Sequence, residues 1–423
     1  MTAQVFGEAN NRGLETIPFQ ILNQSGLKAP LYVWVQGIIP DTTPAEYVYV
    51  SDLKGNVTEI PKSSKKLTLS MALPDDDTTI ALPRLISLRV YLSLGQQIFT
   101  DTNADGNPTS PSGWSPGDPL QGENYNTLFD YFELTWTRDN ATTTSLGANL
   151  TQLDFLGLAL QLDNYGYKPD LKTPEHVKSG FEGNARSTIF KAIEELGEPW
   201  SKLVLPAGNP AFPDIPIRIH SPYHGMELGL FPKDQLEKYI NDVWSYYTKK
   251  QLAVTVSGGE YTGLVQSDGP HKGLFVFEPA KGSGKSPVMI KNPNTNHQEG
   301  FVSGSKNMYE CQVQLDIVPQ VVPPNPLPVD ATDIARNLGA GFMRSTLGQG
   351  VAGGVNLDSL PLCNEVGQYY LHEPVNQYAA LIHKHSIQGK AYAYGYDDVC
   401  EQSSVGITKN PTKLVLTVHP VSV

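Results

Sequence analysis

Apolar and polar positions alternate along most of the first hundred residues. FQILNQSG, PLYVWVQGII, YVYVSDL, KLTLSMAL and ISLRVYLSLGQQIF are runs of this kind, separated by Gly, Pro, Asn, Asp and Ser. A period of two sends successive side chains to opposite faces, so these runs predict half-buried β-strands. A stretch with almost no apolar content follows, DTNADGNPTSPSGWSPGDPLQGEN (101–124). FDYFELTW (129–136) and NLTQLDFLGLAL (149–160) then read as two neighbouring strands, joined by the polar loop RDNATTTSLGA. This first part reads as a β-sandwich or barrel.

The periodicity changes near residue 165. ARSTIFKAIEELG (185–197) has helical spacing, with Ile189, Ile193 and Leu196 on one face. PKDQLEKYINDVWSYYTKK (232–250) predicts a helix, with Pro232 at its start, Asp234 in the first turn and Lys249 and Lys250 in the last. Strands return at QLAVTVSG, KGLFVFEP and YECQVQLDIV. The Pro-rich connector VPPNPLPVD (322–330) precedes a third helix, ATDIARNLGAGFMRSTL, and a fourth is expected over PVNQYAALIHKHS. GKAYAYGYDDV and TKLVLTVHPV read as closing strands that return to the first sheet. The predicted organisation is β-rich α+β. A β-barrel or sandwich domain covers residues 1–165 and is completed by strands in 390–423, a mixed α/β domain covers 166–389, and a groove is expected between the two.

Composition narrows the function classes. The chain has 423 residues, with only 17% charged and with 38 Gly, 33 Pro and 20 Tyr, which suits a turn-rich β protein. Its formal charge of −12 argues against a nucleic-acid or anionic-membrane partner and is compatible with a neutral substrate such as a glucan. No stretch approaches the ~18 to 20 apolar residues of a membrane span. Three cysteines, Cys311, Cys363 and Cys400, allow at most one internal bridge, which the sequence does not place. The opening MTAQVFGEANNRGLETIPFQI has no basic start followed by an apolar stretch, so no secretory signal is expected in it.

Glu133 and Asp154 are the candidate chemistry. Each carboxylate interrupts a run that is otherwise apolar or aromatic, and a buried carboxylate without a partner is costly. Two acids presented from adjacent strands suit hydrolysis of a glycosidic bond, which needs one acid and one base. Thr135 shares the face of Glu133 and Gln152 that of Asp154, while Tyr131 and Trp136 add aromatic surface. Sugar sites combine such polar groups with flat aromatic walls. Glu133 sits among Tyr131, Phe132 and Leu134, where limited solvation is expected to favour the neutral acid.

Other motifs read as structure. Asp101, Asn103, Asp105 and Gly106 open like a calcium loop, but the position for a bidentate Glu is Ser112, so a solvated turn is expected and no metal site. KGSGKS (281–286) ends like a phosphate loop, yet Pro279 stands where its first Gly is required, which leaves a hairpin turn. His220 and His224 have metal-ligand spacing with Pro222 between them. Asp397 and Asp398 are adjacent in a presumed strand, so only one can face a groove.

FDYFELTW followed by NLTQLDFLGLAL resembles the paired motif of glycoside hydrolase family 64, the laminaripentaose-producing β-1,3-glucanases with a thaumatin-like fold. ISLRVYLSLG resembles the family's Arg-x-Tyr-x-Ser strand, here Arg89, Tyr91 and Ser93. IARNLGAGFMRSTL resembles its helix ending in Arg-Ser-Thr-Leu, and NQYAALIHKHSIQGKAYAYGYDDV its C-terminal helix with a Tyr-Asp-Asp strand. The segments span roughly residues 85–405, in the family's order.

The resemblance implies an inverting endo-β-1,3-glucanase acting outside the cell, on glucans such as laminarin or curdlan; since no complete metal constellation is present in the sequence, no cofactor is expected. Glu133 matches the general acid and Asp154 the general base, while Thr135, Asn149 and Thr151 match positions near the catalytic groove. Arg89, Tyr91, Gln152 and Asp398 join them as expected substrate-binding residues. The two acids stand 21 positions apart, and the loop between them lacks the family's tryptophan; Trp136 is the candidate substitute. A non-catalytic β-glucan-binding or host-interaction protein on the same fold is the alternative.

Overall fold

The computed structural model describes residues 10–109, 124–295, 304–310, 317–318 and 329–421. Ser112, Cys311, most of YECQVQLDIV and most of the Pro-rich connector lie outside the described residues. By contacts the chain divides into two compact units. One holds residues 1–221, 382–391 and 404–423; the other holds 222–381 and 392–403. Residues 166–221, which the change of periodicity assigns to the second region, therefore pack with the first.

The first unit is built on a 12-stranded sheet. Its strands in chain order are β1 (Thr16–Asn23), β2 (Leu31–Ile38), β3 (Tyr47–Val50), β4 (Val57–Glu59), β5 (Met71–Ala72), β6 (Asp77–Pro83), β7 (Ile86–Leu94), β8 (Leu128–Arg138) and β9 (Thr144–Leu150). After the short β10 (Phe155–Leu156) come β11 (Leu160–Tyr167), β12 (Pro174–Gly180), the helix α1 (Ala185–Glu195), β13 (Val204–Asn209) and β14 (Phe212–His220). β10, β14 and β13 form a separate three-stranded sheet.

The C-terminal strand Gly406–Val418 joins the two leaves of the large sheet. Its first half pairs with β9, its second half with β1 in parallel, and β11 runs along its other side. Phe19, Val33, Val90, Phe132, Leu146, Leu162 and Leu416 come from both leaves and are buried in one core. Alternation is why this works. On β7, Leu88, Val90, Leu92 and Leu94 face that core, and on β8 Phe132, Leu134 and Trp136 do. The opposite face is left to Arg89 and Tyr91, and to Tyr131, Glu133 and Thr135.

The second unit carries a six-stranded sheet that includes Leu252–Val256, Gly259–Val265, Phe275–Pro279 and Val288–Ile290. The helix Glu237–Tyr246 is shorter than the 232–250 pattern suggests, and it buries Tyr239, Ile240, Val243 and Trp244. Trp244 meets Phe275 edge-on at 5.6 Å and stacks near Phe342 at 6.2 Å. Phe342 belongs to the helix Val329–Met343, the third one expected; the fourth is Gln377–His385. KGSGKS lies in the connection between the antiparallel strands Phe275–Pro279 and Val288–Ile290, as a hairpin. Cys363 and Cys400 form a disulfide.

The expected strand GKAYAYGYDDV is a turn followed by a single 3₁₀ turn, Val399–Glu401. Asp397 is the reason. Its buried carboxylate accepts the Ala393 amide at 2.8 Å and lies 3.6 Å from the guanidinium of Arg344, so the chain is pulled into a loop around it.

Candidate active site

One row of side chains crosses the face of the large sheet that turns away from the core. Gln36 on β2 registers with Arg89 on β7, Arg89 with Glu133 on β8, and Glu133 with Asn149 on β9. Arg89 donates from Nε to Glu133 Oε1 at 2.8 Å. Burial opposes charge on Arg89, but the oxygens of Tyr91 and Glu133 outweigh it and hold the guanidinium above its ordinary value. Asn149 accepts the Ser404 hydroxyl at 2.9 Å, and Thr135 is exposed two residues beyond Glu133. A cavity of about 550 Å³ opens over this row, lined by Gln36, Tyr47, Ser87, Arg89, Asn107, Glu133 and Thr135 among others.

Glu133 is not sheltered by its sequence neighbours. Its side chain is 41% exposed, because Phe132 and Leu134 point into the core on the other face. The expected limited solvation is absent, and a guanidinium stands beside the carboxylate instead.

Asp154 does not lie on a strand beside β8. The apolar run 149–160 breaks into the end of β9, a bend at 151–154, and β10, which joins the separate sheet through pairing with β14. The bend nevertheless returns Asp154 to the face that carries Glu133. Tyr131 stands two residues from Glu133 on that face and donates its hydroxyl to Asp154 Oδ2 at 2.7 Å. Burial, then the charge of Asp154, raises the Tyr131 hydroxyl well above its ordinary value, so it remains protonated and acts as the donor. The Ser221 amide donates to the Asp154 carbonyl at 2.9 Å.

The segment just after the bend and β10 is held by residues that the sequence did not single out. Asp130 accepts the amides of Gly157 at 2.9 Å and Leu158 at 3.0 Å with one oxygen, and that of Tyr131 at 2.8 Å with the other. Burial pushes the Asp130 carboxyl up to about 7, against those three donors and the charge of Arg218. Arg186 donates to the Gly157 carbonyl at 2.7 Å. A Cβ at Gly157 would overlap the Phe129 carbonyl oxygen. Arg218 lies 4.6 Å from the ring centres of Phe129 and of Phe155, and donates to the Thr127 carbonyl at 2.6 Å. Burial lowers both arginines to about 9. Isolated arginines inside ARSTIF and PIRIH, and a second acid in FDYFELTW, were the available signals.

Several expected binding residues have other placements. Trp136 is 3% exposed and packs in the core, since three residues of strand separate it from Glu133 and turn it to the opposite face. Tyr91 is buried in a stack, 4.8 Å from Trp34 and 5.4 Å from Tyr131. Thr151 and Gln152 are buried, and Thr151 Oγ1 accepts the Leu153 amide. Asp398 belongs to the second unit, where it pairs with Arg336. Asp101 accepts the Lys66 amide at 3.0 Å and pairs with Lys65, while Asn103 closes the turn by accepting the amides of Asp105 and Asn107. No group of three or more His, Cys, Asp or Glu among the described residues is placed to hold a metal ion.

The sequence model of glycoside hydrolase family 64, described as β-1,3-glucanase, matches residues 15–418. A glucan endo-1,3-beta-glucosidase of Arthrobacter sp. (strain YCWD3) is 26% identical over 412 residues, which is 96% of this chain and 65% of that protein. The chain thus spans about two-thirds of the length of that relative. A crystal structure of a laminaripentaose-producing β-1,3-glucanase in complex with laminaritetraose shares the fold, with a TM-score of 0.76, 24% identity, and 96% and 99% of the two chains covered. The β-1,3-glucanase domain from Clostridium beijerinckii superimposes with a TM-score of 0.68 at 22% identity, covering 96% of this chain and 99% of that one.

Proposed function

The chain belongs to glycoside hydrolase family 64, the β-1,3-glucanases, and we propose that it hydrolyses internal β-1,3-glucosidic bonds by an inverting acid/base mechanism. The observation that carries this reading is that Glu133 lines the cavity while Tyr131, two residues away on the same strand face, holds the second carboxylate, Asp154, through its hydroxyl. Glu133 is the general acid and delivers its proton to the leaving glycosidic oxygen. Asp154 is the general base and takes a proton from a water molecule whose oxygen bonds to C1 from the opposite side. The C1–O bond breaks as the new one forms, and the anomeric centre inverts. Such a pair holds its carboxyl groups about 6.5–9.5 Å apart to admit the water. A base must present an acceptor oxygen, and Asp154 Oδ2 accepts the Tyr131 hydroxyl at 2.7 Å.

Arg89, Thr135 and Asn149 supply hydrogen bonds to glucose hydroxyls along the row. The proposal includes laminarin or a curdlan-like glucan as substrate, short oligosaccharides as products, a thaumatin-like barrel as scaffold and action outside the cell. No helix among the described residues is long and apolar enough to cross a membrane.

The Arg89–Glu133 ion pair favours a second reading, since a proton donor has to be protonated before it acts. A glucan-binding protein that retains the fold without turnover would keep such a pair. Reducing-sugar release from laminarin separates the two. Glu133→Gln and Asp154→Asn should each lower hydrolysis on the order of 10²-fold or more. Both variants should stay folded and still bind laminarin oligosaccharides. Full activity in Glu133→Gln would remove that residue from the mechanism.

A further inference from the structure

We infer that Tyr131 is the positioning residue of the general base, and that its hydroxyl, held by an aromatic ladder, sets the orientation of the Asp154 carboxylate. This inference rests on the reading of Asp154 as the base. Three observations lead to it. The Tyr131 hydroxyl donates to Asp154 Oδ2 at 2.7 Å. The Tyr131 ring stacks on Tyr91 at 5.4 Å, and Tyr91 stacks on Trp34 at 4.8 Å, so the ring is fixed across β8, β7 and β2. Phe155, the residue after Asp154, meets the edge of Tyr131 at 6.3 Å and of Phe129 at 5.1 Å.

Tyr131 therefore grips the bend twice, through its ring against Phe155 and through its oxygen on Asp154. The two grips are separable. Trp34, Tyr91, Tyr131 and Phe155 would pack as well with a phenylalanine at 131, because the stacking uses rings alone. The oxygen acts on the carboxylate. A short carboxylate rotates about two side-chain bonds, and its reach towards water depends on how those rotations are set. A donor anchored in a rigid strand removes that freedom, as supporting hydrogen bonds do in preorganised sites. Tyr131 keeps its own proton throughout; burial and the neighbouring negative charge ensure this. The proton lost by water goes to Asp154.

The test is Tyr131→Phe in the full chain, assayed on laminarin and on β-laminaribiosyl fluoride. Fluoride departs without a proton donor, so this substrate bypasses the general acid while still requiring the base. Tyr131→Phe should lower kcat about 10- to 100-fold on both substrates, with KM within about threefold. Glu133→Gln should recover activity on the fluoride, whereas Asp154→Asn should not. In an Asp154→Asn background, adding Tyr131→Phe should cost nothing more, because the hydroxyl acts through that carboxylate.

Wild-type kcat in Tyr131→Phe, with Asp154→Asn inactive, would overturn the positioning role and leave the hydrolase reading standing. Full activity of Asp154→Asn would instead remove the base assignment itself. An equal loss from Tyr131→Phe in the wild-type and Asp154→Asn backgrounds would reduce Tyr131 to packing. Should Tyr131→Phe fail to fold, 3-fluorotyrosine at position 131 keeps the shape and strengthens the donor. A change in kcat of twofold or more at constant KM would then support the role, and an unchanged kcat would overturn it.

Discussion

Replacing Gly157 with alanine tests how the segment that follows the Asp154 bend is held. No left-handed backbone is involved; the constraint is close approach. A Cβ there would overlap the Phe129 carbonyl oxygen, a backbone atom of β8 that cannot swing aside as a side-chain tip can. Displacing the bend also strains the bonds from the Gly157 and Leu158 amides to Asp130. Overpacking costs about 1–3 kcal/mol and each of the two weakened hydrogen bonds about 1 kcal/mol, so the local loss is about 3–5 kcal/mol. That fits within the usual stability of a domain, so the variant should fold with a loosened bend. Hydrogen exchange of the peptide covering residues 151–158 reads this locally and does not require both units to unfold together. Protection there should fall, and kcat on laminarin should drop tenfold or more as Asp154 shifts. Gly147→Ala is the stability control, since its added carbon meets only Ile407 Cγ1, at an ordinary 3.7 Å. Wild-type protection and kcat in Gly157→Ala would refute the claim that close approach to β8 places the base.

Four further outcomes follow from the structure. Trp136→Phe should leave affinity for laminarin oligosaccharides unchanged by titration calorimetry, while Trp136→Ala should destabilise by about 3–5 kcal/mol, as expected for a core tryptophan. Burial lowers His419 below its ordinary 6.5, so its contribution to stability is complete above about pH 6.5 and is lost as pH falls through the lowered folded value. Thermal melts should show that decline, and His419→Gln should remove it. In the second unit, a hydrogen bond from His224 and the charge of Lys306 hold Glu227 at about 2 against an ordinary 4.5, so stability from this group persists above about pH 4.5 and disappears as pH falls towards 2. Finally, Cys363 and Cys400 close a loop of 37 positions, and Cys400→Ser should cost about 2–4 kcal/mol, read as earlier unfolding of the second unit.

Much of the first unit was legible because alternation is a local signal. β1, β2, β3, β7 and β8 fall on the runs that show it. The same rule sends Trp136, three residues away, to the face opposite Glu133, although it was read as aromatic surface beside it. Expecting it to replace a loop tryptophan set that rule aside, and the core placement follows the rule. Asp154 was legible as a residue but not as a position. NLTQLDFLGLAL reads as one apolar strand, yet it is divided by contacts made with distant residues: Asp130 on Gly157 and Leu158, Arg186 on Gly157, and β14 on Phe155. No local period encodes those partners. Asp397 broke an expected strand for the same reason, through Arg344 and the Ala393 amide. The solvation of Glu133 was misjudged by weighing sequence neighbours, Phe132 and Leu134, that alternation sends to the other face.

Proton NMR of laminarin during hydrolysis tests the central claim most directly, because it reads both bond cleavage and its stereochemistry in one spectrum. Water arriving opposite the leaving group must produce the α-anomer first, followed by slow mutarotation to the equilibrium mixture. The account predicts an early α-anomeric signal from new reducing ends, which disappears in both Glu133→Gln and Asp154→Asn. A β-anomer appearing first would contradict the inverting pair, and no new reducing end at all would contradict the hydrolase.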